Sequence, residues 1–482
     1  MPRAPRRMGS ADVLWLTMDR PDNLMVVVSV VLLESVPDWD RVRHLLRTRI
    51  VEPYPVFSQR PRRPGRVLGR YRWEDDPDFG LERHLIRATL SGEGGSTEAD
   101  AELQAYIERQ LPRPFDPTRP LWEAHLVDGH GTGAALVFRS HHALADGIAL
   151  TRVLLGLTED AGGVHGDLVG PAAAGELATL PLGVPASSGA VSSGLRLARS
   201  TIRTAWERLR TKGSRAAVQD AARLTLRTGQ VVSDLLLTST PPSAVGGVPG
   251  RAKRVVWTQP LPLPGLKAVG RLVGATLNDV LLGAVAGALH DYQAEHGRPP
   301  VDLVTMVPVN VRPLDEPLPR ELGNRFALVF LRLPSSDATP LGRLAVAKSR
   351  MDWLKASPEA ALTFALISVI GRFPATVQRR VVDFFADKAI GVTTNVAGPR
   401  RVRHLAGVPV TGVLGWVPGS GRHTLGFCIV TYDDAVRIGI MADESVVPDP
   451  EALLADLEEQ LSLLERIGTG ARTGPKRRRG RS

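Results

Sequence analysis

The stretch that decides the fold reads AALVFRSHHALADG and spans residues 134–147. An apolar run typical of a buried strand delivers His141 and His142 into a short loop, and a leucine-rich helical pattern follows from 148 to 157. Successive side chains of an extended segment point to opposite faces, so the two histidines cannot easily converge on one substrate or metal ion. We therefore expect one histidine to perform chemistry and the other to support it.

The loop contains further groups that suit proton transfer. An imidazole with an ordinary pKa of about 6.5 can accept a hydroxyl proton at neutral pH. Asp146 stands at the predicted helix start, where the helix dipole favours a carboxylate, and Gly147 allows backbone to approach closely. From the residues alone the alternative stays open that the histidine pair is structural, which is the commoner role of such a pair.

Outside this loop, two long stretches alternate strand-like apolar runs with helix-like segments, which predicts an α/β protein with two mixed domains. We place an N-terminal domain at 1–185, a linker at 186–245, a C-terminal domain at 246–467 and a disordered basic tail at 468–482. Both domains have similar size and pattern, which is compatible with a duplicated architecture.

The linker contains a segment with helical apolar periodicity. Its residues 195–228 carry nine basic and two acidic side chains, and apolar residues from Leu195 to Leu209 share one helical face. This combination fits a helix lying on an anionic lipid surface. The alternative is an ordinary helix that packs on its own domain while its arginines extend to solvent.

Charge and composition exclude several functional classes. The chain of 482 residues has a net charge of +10, but the ends 1–7 and 468–482 carry nine of these charges, so we expect no nucleic-acid partner. No apolar run approaches the roughly 20 residues of a membrane-spanning helix, and no secretory signal is visible, which predicts a cytoplasmic protein. Cys428 is the single cysteine, so an intramolecular disulfide and a thiolate zinc cluster are excluded.

The loop HHALADG at 141–147 resembles the His-His-x-x-x-Asp-Gly motif of the CoA-dependent acyltransferase superfamily, which includes chloramphenicol acetyltransferase and peptide-synthetase condensation domains. Within it, the chain resembles the bacterial wax ester synthase/diacylglycerol acyltransferase family over roughly residues 8 to 465. The further motifs that carry this resemblance are SAD at 10–12, MDRPDN at 18–23, PLW at 120–122, ND at 278–279, VPVNVR at 307–312, GN at 323–324 and TNVAGP at 394–399.

The resemblance implies two chloramphenicol-acetyltransferase-like domains, each a mixed sheet with flanking helices, joined by a partly helical linker. It implies transfer of a long-chain acyl group from CoA to diacylglycerol or a fatty alcohol in a tunnel between the domains. His142 would be the general base, His141 would support its geometry, and Asp146 would orient the loop through an internal ion pair together with Gly147.

The resemblance also suggests Asn278 as a donor to the reaction's oxyanion, with Asp279 beside it. The alternative is that Thr276 to Asp279 simply caps a helix. No metal and no cofactor is expected, because acyl-CoA is a substrate. The expected surroundings are a membrane or lipid-droplet surface on which the enzyme sits peripherally.

Two other functions remain open at this stage. The same motif could serve another lipid or peptide acceptor, as in condensation-type relatives. The chain could also be a catalytically silent lipid-surface protein that keeps the fold, because a motif does not prove turnover.

Overall fold

The computed structural model describes residues 3–63, 65, 71–92, 95–160, 241–310, 317–355, 357 and 359–470. The segment 195–228, most of the predicted linker and the tail from 471 lie outside these residues. Residues 468–470, which we assigned to the tail, instead form the end of the last helix.

Within the described residues, the strands are β1 (Arg6–Arg7), β2 (Val26–Leu33), β3 (Gln59–Arg62), β4 (Arg72–Asp75), β5 (Leu85–Thr89), β6 (Trp122–His130), β7 (Gly133–His141), β8 (Lys253–Trp257), β9 (Leu261–Pro262), β10 (Leu303–Asn310), β11 (Phe326–Leu333), β12 (Gly391–Ala397), β13 (His404–Leu405), β14 (Val408–Trp416), β15 (Leu425–Tyr432) and β16 (Ala435–Asp443). The α-helices are α1 (Ser10–Met18), α2 (Trp39–Leu46), α3 (Ser96–Gln110), α4 (Gly147–Leu155), α5 (Leu263–Val273), α6 (Leu277–Glu295), α7 (Pro340–Lys355), α8 (Glu359–Ile370), α9 (Ala375–Ala386) and α10 (Pro450–Gly470).

The first large sheet has the strand order β13-β14-β2-β7-β6-β5. Its pairs are antiparallel except for β5 and β6, which run parallel, so the sheet is mixed. β7 is buried along its whole length, as expected of a near-continuous apolar run that is covered on both faces. The strand that ends at the histidine pair is therefore a central, rigid element.

The second large sheet has the order β11-β10-β12-β15-β16-β8, with β9 pairing beside β16. The strands β10, β12 and β15 run parallel and the other neighbours antiparallel. A small sheet, β1-β4-β3, shares no hydrogen-bonded ladder with either. The predicted α/β arrangement of two mixed sheets with flanking helices is confirmed.

One pair of strands crosses between the two halves of the chain. β13 and β14 lie in the C-terminal half, but β14 pairs antiparallel with β2, for example Val413 with Val31, and so extends the first sheet. The boundaries that we placed in the linker remain a prediction, and this crossing strand makes each half of the chain depend on the other.

A shared core joins the two sheets. Val28 and Val30 of β2 pack in one buried cluster with Trp257 of β8 and Trp416 of β14. The Trp416 indole Nε1 donates to the carbonyl of Ile440 at 3.2 Å, which satisfies its polar atom inside this layer. Each fully buried large apolar side chain stabilises such a core by about 1.5–3 kcal/mol. This layer fixes the spacing of the two halves around the site.

The helix α6 runs through the core of the second half. Thr276 caps it, because its hydroxyl accepts from the amide of Asp279 at 3.3 Å, and most of its residues are buried. Among the described residues, no single helix is long and apolar enough to cross a membrane. The bent pair α5 and α6, at 97° to each other, passes the same test of length and composition only when taken together.

Candidate active site

The backbone of the strand, turn and helix at 133–155 fixes the position of His142. β7 ends at His141, which pairs with Val26 of β2, and the amide of His142 donates to the carbonyl of Met25 at 2.8 Å. A turn then leads into α4, which begins at Gly147. The predicted strand-loop-helix order is confirmed, and the histidine loop is held by the central strands of the first sheet.

Asn324, from the segment just before β11, binds the ring of His142. The ring Nδ1 lies 3.0 Å from Oδ1 of Asn324. The amide Nδ2 of Asn324 donates to the carbonyl of His142 at 2.8 Å and to Oδ1 of Asp12 at 2.9 Å. The same Asp12 oxygen accepts from the backbone amide of Asn324 at 2.9 Å. The two halves of the chain thus meet at the ring of one histidine.

This network fixes the tautomer of His142. Both partners of Asn324 Nδ2, a carbonyl and a carboxylate, can only accept, so the side-chain oxygen of Asn324 must face the imidazole. An amide oxygen cannot donate, and Nδ1 of His142 therefore carries the proton. The other nitrogen, Nε2, keeps its lone pair and has no hydrogen-bond partner within the described residues. A neutral ring with a free Nε2 is the form that a general base requires.

The surroundings of His142 keep its ring neutral. The ring centroid lies 4.8 Å from that of Trp15 in α1 and 5.7 Å from that of Phe326 in β11. Burial lowers the pKa of His142 below its ordinary value of 6.5, although the charge of Asp146 and the hydrogen bond with Asn324 oppose this shift. Asp12 is buried, and burial raises the pKa of its carboxyl despite hydrogen bonds from Asn324 and Gly9.

His141 has both ring nitrogens engaged. Its Nδ1 accepts from the amide of Ala143 at 3.0 Å, so Nε2 is the protonated nitrogen and donates to Asp19 at 3.2 Å. The same Asp19 carboxylate accepts from the amide of Met25 at 2.7 Å. His141 therefore ties the loop to the residues that precede β2. This placement is consistent with the predicted division of labour between the two histidines.

Asp146 lies at the start of α4, as predicted, and acts on backbone groups. Its Oδ1 accepts from the amide of Ala149 at 2.9 Å, which is an N-cap, and its Oδ2 accepts from the amide of Arg325 at 3.1 Å. Among the described residues it forms these two hydrogen bonds and no ion pair, and the expected internal ion pair stays a prediction. The second bond fastens the segment that carries Asn324 to the histidine loop.

Gly147 does not serve the purpose that we expected. A Cβ atom at this position would have no protein atom within 4 Å, so no backbone approaches it closely. Gly147 instead lines the cavity that also contains His142. The absence of a side chain keeps this part of the cavity open.

Replacing Gly147 by alanine is therefore expected to leave the folded state as stable as the wild type, and both alanine and valine are expected to lower kcat/KM, about tenfold or more for valine. The added Cβ meets no atom beyond its chain neighbours and its own helix but occupies space in the cavity that contains His142. Thermal unfolding and steady-state kinetics on the same preparations check this. A valine variant with wild-type kinetics would show that substrate does not reach Gly147.

Asn278 and Asp279 separate into two environments. Asp279 is buried, and its Oδ2 accepts from the amide of Thr276 at 2.9 Å and from its hydroxyl at 2.8 Å, which is the capping role that we weighed against a catalytic one. Asn278 lines the cavity with His142. Its Oδ1 accepts from Nδ2 of Asn395 at 3.0 Å, which leaves the Asn278 amide hydrogens as donors.

The cavity lies between the two halves of the chain. Its polar groups include His142 and Asn278. Much of the remaining wall is apolar, for example Ile148, Leu282, Met306, Leu328, Val392 and Val417. Such a lining suits an acyl chain, with few polar groups to orient it. A second cavity reaches His141 and is lined also by Leu16, Thr17 and Arg379.

The described residues contain no group of three or more His, Cys, Asp or Glu side chains that could hold a metal ion. Cys428 is buried in the core, and burial raises the pKa of its thiol to about 12. A thiol with such a pKa is inert at neutral pH.

Comparison with known proteins supplies the relatives of this fold. Residues 8–281 match the model of the wax ester synthase/diacylglycerol acyltransferase catalytic domain, and residues 322–465 match that of the WS/DGAT C-terminal domain. A protein of Mycobacterium tuberculosis strain H37Rv named "Probable diacyglycerol O-acyltransferase tgs1" is 28% identical over 470 residues, which cover 96% of this chain and 95% of the relative.

Two solved structures share the fold. The wax ester synthase/diacylglycerol acyltransferase from Marinobacter aquaeolei VT8 is 22% identical, with a TM-score of 0.65 over 96% of this chain and all of its own chain. The first condensation domain of the calcium-dependent antibiotic synthetase is 17% identical, with a TM-score of 0.58 over 97% of both chains. The predicted relation to condensation domains is confirmed at the level of fold. The family models together cover most of the sequence, and the chain belongs to the wax ester synthase/diacylglycerol acyltransferase family.

Proposed function

We propose that the protein transfers a long-chain acyl group from acyl-CoA to the hydroxyl of diacylglycerol or a fatty alcohol, with His142 as the general base. The observation that carries the proposal is the fixed tautomer of His142, which leaves a lone pair on Nε2. The same residue lines the mostly apolar cavity. The family membership supports acyl transfer to these acceptors.

In the proposed reaction, Nε2 of His142 accepts the hydroxyl proton as the acceptor oxygen attacks the thioester carbonyl. The tetrahedral intermediate then expels the thiolate of CoA, which takes the proton back from Nε2, so the ring returns to its starting tautomer. The products are the ester and free CoA, and no acyl-enzyme forms. The Asn278 amide is our candidate donor to the developing oxyanion, because it lines the same cavity.

The experiment that tests the function offers radiolabelled palmitoyl-CoA to the purified protein with hexadecanol and dioleoylglycerol in parallel. Labelled wax ester or triacylglycerol, separated by lipid chromatography, is the expected result and ranks the two acceptors. Binding of CoA without product would favour a different lipid or peptide acceptor. The absence of CoA binding would favour the catalytically silent lipid-surface protein.

The pH dependence of kcat/KM is expected to show an acid limb below pH 6.5. The base must be neutral, and burial lowers the pKa of His142, so protonation removes activity only as the pH falls through this lowered value. A pH–rate profile with a soluble alcohol as the acceptor checks the position of the limb. The stability of the protein, measured over the same pH range without acyl-CoA, is the control. An acid limb above 6.5 would contradict the assignment of His142.

We further propose that the enzyme is cytoplasmic and works peripherally at a membrane or lipid-droplet surface, where its lipid acceptor is dissolved. The support for this is the basic amphipathic pattern of residues 195–228. Deletion of 195–228 with retained activity on a soluble alcohol would separate surface binding from chemistry.

A further inference from the structure

The helices α8 and α9 expose a cluster of large apolar side chains. Val369, Phe373, Val377 and Phe384 are 44%, 50%, 41% and 46% exposed and lie within sixteen consecutive residues. We call these four residues the α8–α9 patch. Single exposed apolar residues are normal on any protein surface, but four large ones within one short segment are a candidate interaction site.

The patch is held rigidly by the buried side of the same segment. Gln378 is buried, and its Oε1 accepts from the hydroxyl of Thr17 in α1 at 2.6 Å while its Nε2 donates to the carbonyl of Phe373 at 2.7 Å. Arg379 donates to the carbonyl of Thr17 at 2.9 Å. Val377 and Phe384 stand seven positions apart on α9 and therefore share its outer face. The exposure of the patch is thus a property of the packed fold.

The charged side chains nearest in sequence to Val369, Phe373 and Val377 are arginines, whereas Asp383 and Asp387 lie beside Phe384. Residues 360–382 contain three arginines and no aspartate, glutamate or lysine. Arg372 and Arg380 are exposed and have no acidic partner within the described residues. Asp383, the next acid along α9, is already paired with Arg20 at 2.6 Å. Apolar side chains flanked by free arginines complement the acyl chains and anionic headgroups of a phospholipid surface.

The patch also adjoins the second cavity. Ala375, Thr376 and Arg379 of α9 line this cavity, whose wall includes His141. The helix α1 separates it from the first cavity, since Thr17 and Asp19 face the second and Trp15 faces the first. A lipid surface seated on the patch would therefore lie beside the second cavity, whose wall includes His141.

We propose that the α8–α9 patch is a docking surface for a phospholipid layer with anionic headgroups, into which Phe373, Val377 and their neighbours insert. Docking itself does not depend on the proposed function, whereas its purpose, delivery of a lipid acceptor to the second cavity, rests on it. The patch is separate in sequence from the basic segment 195–228, so the two can be tested independently.

The test is flotation of the full-length protein with vesicles of phosphatidylcholine alone or mixed with phosphatidylglycerol. Wild type is expected to float with the anionic vesicles. The ratio of bound to free protein is expected to be at least tenfold lower for the variant F373D/V377D. The matched control V36D/V248D alters two valines that are 44% and 71% exposed outside the patch and should bind like wild type. R372E/R380E should weaken the preference for anionic vesicles and its dependence on salt, while the basic segment 195–228 keeps its own contribution.

Each outcome decides the proposal separately from the enzyme's function. Equal flotation of F373D/V377D and wild type would overturn the docking proposal. A loss of flotation in V36D/V248D as large as that in F373D/V377D would overturn it too. Conversion of a dimer into a monomer by F373D/V377D, seen in analytical ultracentrifugation without a change in flotation, would assign the patch to a second copy of the chain and overturn it as well. Vesicle binding that requires the patch, in a protein without acyl transfer to any acceptor, would support docking while the proposed function fails.

Discussion

Replacing His142 by alanine is expected to lower kcat by about 10²–10⁴-fold, the range that a positioned general base contributes. Only the neutral ring with Nδ1 protonated presents a lone pair at Nε2, and alanine supplies no substitute base. The residual rate would come from binding and orientation of the two substrates in the cavity. Single-turnover kinetics with labelled acyl-CoA and hexadecanol measure the chemical step directly.

His141 provides the matched control for this experiment. In His141→Asn, the asparagine oxygen can take the position of Nδ1 and still accept from the amide of Ala143, whereas the shorter side chain loses the contact that Nε2 makes with Asp19. Because the bond that holds the loop backbone is kept, we expect a loss of about tenfold or less. Circular dichroism and CoA binding establish that both variants are folded. A variant at 141 that is more damaged than the one at 142 would reverse the roles that we assign to the two histidines.

Removing the side chain of Asn324 is expected to lower kcat by about 10–100-fold, the usual cost of losing a group that orients a functional histidine. Asn324→Ala removes the side-chain acceptor of Nδ1 and leaves the ring with its own backbone carbonyl, so the ring is held less firmly in its orientation and tautomer. KM for acyl-CoA should change little, because Asn324 holds His142 rather than substrate.

The pH profile distinguishes this positioning role from a general loss of structure. The hydrogen bond from His142 to Asn324 raises the pKa of the imidazole, so its removal should lower that pKa further and move the acid limb of kcat/KM to lower pH. Asp12→Asn serves as the conservative comparison, because it keeps an oxygen for Asn324, although the altered contact with Gly9 should reduce stability by about 1 kcal/mol. An unchanged limb in Asn324→Ala would refute the role of Asn324.

Much of the site's local geometry could be predicted from the sequence because it depends on neighbouring residues. The apolar strand, the loop with His141 and His142, and the cap by Asp146 all follow from spacing within one short stretch. The same reasoning offered the capping alternative for Asp279. The prediction for Gly147 was wrong, because a sequence shows that a glycine has no side chain but not whether backbone or an open cavity lies next to it.

Contacts between distant parts of the chain could not be predicted in this way. Asn324 and Asp12 are 312 positions apart, and neither lies in a pattern whose period marks a functional surface. Both stand in motifs that the sequence shares with the family, yet a motif does not say which side chains touch. Trp15 and Phe326 enclose His142, but in the sequence they look like ordinary core residues. The spacing of apolar residues indicates that they are buried and does not indicate which side chain they contact.

The crossing strand β14 also affects how the protein is made. The outer edge of β2 is completed only when β14 emerges, some 375 residues later in the chain. At a synthesis rate of about 5–20 residues per second, this edge waits for about 20 to 75 seconds beside the ribosome. An unpaired apolar strand edge is a template for aggregation, so the edge of Val26–Leu33 is open to pairing with other chains during this interval. Translation speed in the second half of the message thereby becomes a determinant of the yield of folded enzyme.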